Sequence, residues 1–116
     1  TIDHRERMGT SMNVVLQEVA YPSAEESDSS LARQKTFFDG LFVALLSRRE
    51  RFPFVVVRGS NEQTQEACEA DADAVGATGS PQAIAAYCSL GLHDASGDDK
   101  PAWSSVIEGL ATFSSP

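Results

Sequence analysis

Positive charge is scarce in this chain. Nine lysines and arginines stand against seventeen aspartates and glutamates, for a formal charge of −8 and a pI near 4.5. Nucleic-acid affinity comes largely from cations that displace condensed counterions, so a phosphate backbone finds nothing broad to bind and no nucleic-acid partner is expected. The one basic cluster, Arg48, Arg49 and Arg51, falls in the last turn of an expected helix. There it complements exposed carbonyls and the helix dipole, and reads as a solvated helix end. No apolar run approaches the roughly 20 residues that span a bilayer, so no membrane role is expected.

Metal-ligating side chains are equally thin. The two histidines, His4 and His93, stand apart from any spaced set of cysteines and carboxylates, and no metal site is expected. Asp94, Asp98 and Asp99 share a glycine-containing loop but lack the spacing and distal glutamate of an EF-hand, which makes them a solvated turn. Neither a nucleophile elbow nor a phosphate-binding glycine loop is present, and no cofactor is expected. Only two cysteines occur, Cys68 and Cys88, without CxxC spacing. Their pattern fits one disulfide as well as it fits two buried thiols. Thr1 to Met8 is polar and charged, and no signal-peptide core follows it; a processed chain would look the same, so the compartment stays open.

What is present is enough for one small domain. The length of 116 residues, 41% hydrophobic and 22% charged, matches a single soluble core. Residues 1–9 read as the tail of a helix stopped by Gly9, which predicts that its body precedes the chain. Residues 13–19 are β-rich and mostly apolar, the mark of a strand covered on both faces. A serine-rich acidic loop follows, in which Asp28, Ser29 or Ser30 can cap a helix. That helix is expected over 30–51, with Leu31, Phe37, Phe38, Leu41, Phe42 and Leu45 on one face. A second strand follows over 53–58, with Pro53 tolerated at its start.

Strand, helix, strand at this spacing predicts a parallel crossover unit. Residues 61–90 then form a helical insertion: one helix over Asn61 to Ala74, started by a Ser60–Gln63 capping box, and a short one begun by Ser80-Pro81. The last helix covers 101–113, with Trp103 on its apolar side as core. Two parallel strands with apolar residues on both sides need neighbours, because bare edges expose unpaired backbone groups. Further strands of a longer chain, self-association or a docked partner would each supply the cover.

The stretches VVLQEVAYPSA, SSLARQKTFFDGLF, FPFVVVRGSNE and AYCSLGLHDASGDDKPAW together resemble the last two strand–helix units of TIM-barrel glycoside hydrolases of the retaining superfamily with two catalytic glutamates. The likeness runs from Asn13 to Phe113. It implies an α/β fold, a partial (β/α)8 barrel forming its last quarter, with a carbohydrate as the partner of the complete barrel. It also implies that Glu18 stands at the nucleophile position, with Tyr21 in the turn after it as a substrate-binding candidate; Asn61 and Glu62, just beyond the second strand, are placed either to make polar contacts to the substrate or to begin the next helix. Alternation puts Val14, Leu16 and Glu18 on one face, with Glu18 near the strand's C-terminal end, where barrel chemistry sits.

A retaining glycosidase needs a second, protonated carboxyl about 5 Å from the nucleophile, and the family carries it on a strand this chain does not contain. The expected function is therefore a glycoside-hydrolase segment that hydrolyses O-glycosidic bonds only when completed. The alternative is a non-catalytic α/β module that self-associates or docks. One departure stands out: Val57 occupies the position where the family carries an aromatic that floors the sugar subsite. The family habit and the cysteine pair favour an extracellular setting.

Overall fold

The computed structural model describes residues 13, 15–59, 61–77 and 79–115. The expected helix tail at 1–9, Val14 and Ser60 lie outside them. Strand β1 (Leu16–Val19) pairs in parallel with β2 (Val55–Val57), and helix α1 (Leu31–Ser47) connects the two. Helices α2 (Gln65–Ala74), α3 (Pro81–Cys88) and α4 (Pro101–Ser114) follow, with single 3-10 turns at Glu25–Ser27 and Arg49–Arg51.

α1 starts where Ser30 accepts a hydrogen bond from the Arg33 N–H at 3.0 Å, satisfying one of the first-turn donors that a helix leaves orphaned. It buries Gln34, Phe38, Phe42 and Leu45, spaced three or four residues apart as one helical stripe requires. α4 begins with Pro101, whose missing N–H costs nothing at the first position. It turns Ala102, Ser105, Val106 and Gly109 inward. These small residues let the two helices approach closely: a Cβ on Gly109 would overlap the Phe42 ring. Phe38, Phe42, Leu45, Leu92, Ala102 and Val106 make the buried core, and Leu16, Val19, Val55, Val57 and Trp103 pack against it. Full burial of a side chain such as Phe38 contributes about 2–3 kcal/mol.

The α1–α4 seam also carries a charged link at its edge. Lys35 Nζ donates to Asp39 Oδ2 at 2.9 Å and to Ser105 Oγ at 3.0 Å. The Ser105 hydroxyl, and after it the Lys35 ammonium, hold the Asp39 carboxyl below its ordinary value of 3.8. Because the folded value is the lower one, this contribution is present above pH 3.8 and fades as the pH falls through the folded value. Lys35 and Asp39 are both about half exposed, so the link is worth no more than about 0.5 kcal/mol. Lys35→Ala is expected to move the Asp39 titration upward, followed by NMR, with stability lowered by no more than that amount.

The partial barrel expected from the sequence is not what these residues form. Among the described residues there is one two-stranded parallel sheet, with strands of four and three residues, and most of these residues are helical. Local chemistry keeps the strands short. In β1 the ladder slips between Leu16 and Val19, where Glu18 takes a φ of +56°; β2 is bounded by Pro53 and by Gly59 at φ +86°. α2 and α3 pack on each other instead of covering strands. The fold is a mostly helical α/β domain whose core lies between the α1–α4 pair and one side of a small sheet.

Two boundaries also move. α1 stops at Ser47, and residues 49–51 tighten into a 3-10 turn. α2 starts at Gln65, with the Thr64 hydroxyl accepting from the Ala67 N–H at 3.2 Å, instead of at Asn61. The reason is that the chain at Asn61 and Glu62 is already engaged: Asn61 pairs with His93, and the Glu62 N–H donates to the His93 carbonyl at 3.2 Å. Gly91 is required beside them, since a Cβ there would overlap the backbone of Asn61 and Glu62.

Candidate functional site

Leu16 and Val19 both pack against the core, although only Gln17 and Glu18 lie between them and strict alternation would put them on opposite sides. The extra residue is absorbed as a bulge, which leaves Gln17 and Glu18 exposed. This corrects the expected alternation, since Leu16 faces the helices while Glu18 faces outward. A glutamate held at positive φ costs on the order of 1 kcal/mol, and such strain persists only where the surroundings impose it. The Glu18 carboxylate makes no hydrogen bond or ion pair with the described residues.

Beside it lies a hollow of about 230 Å³ lined by Glu18, Ala20, Ala86, Tyr87 and Leu90. Across Tyr87 and Leu90, a second hollow of about 310 Å³ is lined by Arg58, Gly59, Asn61, Gln63 and Gly91 as well. Together they make a strip of two neighbouring hollows that share Tyr87 and Leu90, with Glu18 in the lining of one and Asn61 and Gln63 in the lining of the other. Arg58 is held at the rim by Asp71, 3.1 Å away.

The structure thus brings Glu18 and Asn61 to neighbouring hollows and takes Tyr21 and Glu62 elsewhere. The Tyr21 ring stacks on Phe37, with centroids 4.5 Å apart, and its carbonyl accepts from Gln34 Nε2 at 2.9 Å. Gln34 Nε2 also donates to the Gly91 carbonyl at 3.2 Å, tying the loop after β1 to the segment after α3. The buried Gln34 Oε1 has no partner among the described residues. Glu62 forms an ion pair with Lys100, whose side chain is only 4% exposed. Lys100 Nζ donates in addition to Ser23 Oγ at 3.0 Å and to the Ser89 carbonyl at 3.3 Å.

One buried cation therefore joins the segments after β1, after β2 and after α3. Its job in the resting structure is to fix those segments. Val57 likewise packs into the core, so the strand position read as the missing aromatic floor does not face the strip.

Tyr87 and Arg58 were not singled out by sequence, and Gln63 was read only as part of a helix cap. Only the adjacency of Tyr87 to Cys88 could have marked it, because Cys88 is bonded to the buried Cys68 with Cα atoms 5.0 Å apart. The bridge closes a loop of 20 residues and joins α2 to α3. Chain-entropy arguments put its contribution at about 3 kcal/mol. Reduction is expected to lower the denaturation midpoint accordingly, and a reduced sample that melts with the oxidised one would contradict this.

Among the described residues no three histidine, cysteine or carboxylate side chains cluster as a metal site. No helix among them is long and apolar enough to cross a membrane. The chain has no match among protein-family models, curated proteins or solved structures.

Proposed function

We propose that this chain supplies Glu18 as the nucleophile carboxylate of an enzyme that hydrolyses O-glycosidic bonds with retention, and that it does not hydrolyse them alone. The observation that supports the reading best is Glu18 itself: an uncommitted carboxylate, set at positive φ at the end of a strand, opening onto a hollow. Nucleophiles need such access, and strained backbone concentrates at working sites. Among the described residues the hollow has no second carboxylate in its lining, whereas retention needs a protonated partner about 5 Å away across the scissile bond. The reading therefore takes the acid/base group from outside the described residues.

The test is an aryl-glycoside assay of the 116-residue chain beside the product of the full reading frame that encodes it. The chain alone is expected to release no phenol and the full product to release it. Turnover by the chain alone, or silence of the full product on every aryl glycoside tried, would overturn the reading.

A second reading, a non-catalytic module that covers its sheet by self-association, is favoured by one observation. Val55 and Val57 pack inward, while Phe54 and Val56 stay 50% and 45% exposed. Sedimentation separates the two, since a monodisperse monomer across a hundredfold range of concentration contradicts self-association.

A further inference from the structure

The two helices between β2 and α4 stand apart from the rest of the molecule. No described residue from 61 to 90 belongs to the buried core or to the hydrophobic side chains packed against it. Within the pair, α3 has no buried residue and α2 buries only Cys68 and Ala72. What joins the two is the bridge between Cys68 and Cys88. We infer that this bridge is a thiol-operated latch: a small-molecule thiol that opens it at Cys88 sets α2 free, while the sheet and the α1–α4 core stay folded. The latch is independent of the role proposed for Glu18.

Little besides the bridge keeps α2 folded and docked. A helix of ten residues is marginal alone in water, and Asp71 and Asp73 lie in its C-terminal half, where the helix dipole disfavours carboxylates. No basic residue in the last turn offsets them. Burial contributes two small side chains, and the Thr64 cap contributes one hydrogen bond. The ion pair of Asp71 with Arg58 is more than a third exposed on both sides, and therefore weak.

The chain on either side is held without the bridge. Before α2, the Glu62 N–H donates to the His93 carbonyl and the Glu62 carboxylate pairs with Lys100. After α3, the Ser89 carbonyl accepts from Lys100 and its hydroxyl from the Ser23 N–H. Between these anchors Gly76 and Gly79, at φ +77° and +84°, make a joint on which α2 swings. The exchange itself is directional, because Cys68 has no exposed surface, whereas Cys88 is half-buried and lines a hollow of about 660 Å³ with Ile84, Ala85 and Ser89. An incoming thiolate attacks the Cys88 sulfur: a new S–S bond forms there, the bond to Cys68 breaks, and Cys68 leaves as a thiolate that takes a proton from water. A second thiol then displaces the first from Cys88, which leaves two protein thiols and one small-molecule disulfide. Asp71 departs with α2, so Arg58 loses that partner at the rim of the hollow lined by Asn61 and Gln63.

The 116-residue chain is held with reduced glutathione in native buffer and its free thiols are then capped with iodoacetamide, after which cysteine adducts and amide hydrogen exchange are read by mass spectrometry. Glutathione is expected on Cys88 and the cap on Cys68. In the opened chain, exchange over Gln65–Ala74 is expected to reach the unprotected rate, while residues 38–45 and 102–110 stay protected by at least about a hundredfold. The opened chain still melts below the oxidised one, because the docked helix no longer adds to the core's stability. Cys68→Ser combined with Cys88→Ser is expected to fold and to show the same exchange pattern with no thiol present. Protection of α2 that survives opening, loss of protection in α1 and α4 along with it, or failure of the double variant to fold overturns the latch. A bridge that yields only to denaturant, or glutathione found on Cys68, overturns it as well.

Discussion

Replacing Lys100 by methionine is expected to lower the unfolding free energy by about 4 kcal/mol, a drop in midpoint temperature of roughly 15 °C. Methionine keeps the length and apolar stem of the side chain and removes only the cation. The ammonium is almost fully buried, yet three groups from separate parts of the chain converge on it: the Glu62 carboxylate, the Ser23 hydroxyl and the Ser89 carbonyl. Removing one partner of such a set strands the others, and a stranded buried charge costs more than the pair ever contributed. Glu62 is 21% exposed, so water recovers part of the loss, which is why the figure is not larger.

The double variant Lys100→Met with Glu62→Leu is expected to regain a good share of it, because no charge is then left alone. Urea denaturation of the four proteins of this cycle gives the answer. A single-variant loss under about 1 kcal/mol would mean that the ion pair is incidental to the segments it joins.

Glu18→Ala is expected to cut hydrolysis by the completed enzyme at least about a thousandfold, roughly 4 kcal/mol of barrier, with little change in stability. A retaining mechanism forms a glycosyl ester on this carboxylate as the aglycone leaves, and water then cleaves the ester. Without the carboxylate, azide can fill the space and attack the same carbon directly, giving a glycosyl azide of inverted configuration. Rescue by azide with that stereochemistry distinguishes a nucleophile from a residue that merely shapes the hollow. Stability has reason to stay level or rise slightly, because Glu18 has no partner among the described residues and any non-glycine residue at φ +56° carries the same backbone cost.

Much of the local structure was legible, and the reasons differ from place to place. Ser30 was among the three caps expected for α1, and the Phe38, Phe42 and Leu45 stripe shows through helical spacing because burial and periodicity are one signal. Pro81 and Pro101 mark helix starts for a reason that holds anywhere. The bulge at Glu18 was not legible. An apolar run reads as a regular strand, and only the requirement that Leu16 and Val19 both reach the core breaks the alternation.

The barrel expectation failed for a related reason: resemblance in motifs says nothing of how many paired residues each strand will have, and here they number four and three. Ser60 and Gln63 looked like a capping box, but the pairing of Asn61 with His93 delays the helix to Thr64. Lys100 sits in a loop that reads as solvated charge, and its burial follows from where Glu62, Ser23 and Ser89 come together, which is a property of the tertiary fold alone. Tyr87 belongs to the same category, because a tyrosine beside a cysteine carries no motif until the bridge to Cys68 fixes the helix that presents it.

The role of Glu18 is tested most directly by trapping. The full product is incubated with a 2-deoxy-2-fluoroglycosyl donor bearing a good leaving group, which forms the glycosyl ester faster than water can break it, and the labelled protein is digested and mapped by mass spectrometry. The label is expected on the peptide holding Gln17, Glu18 and Val19, at the Glu18 carboxylate. A label on any other carboxylate, with Glu18 unmodified, would contradict the role assigned to it.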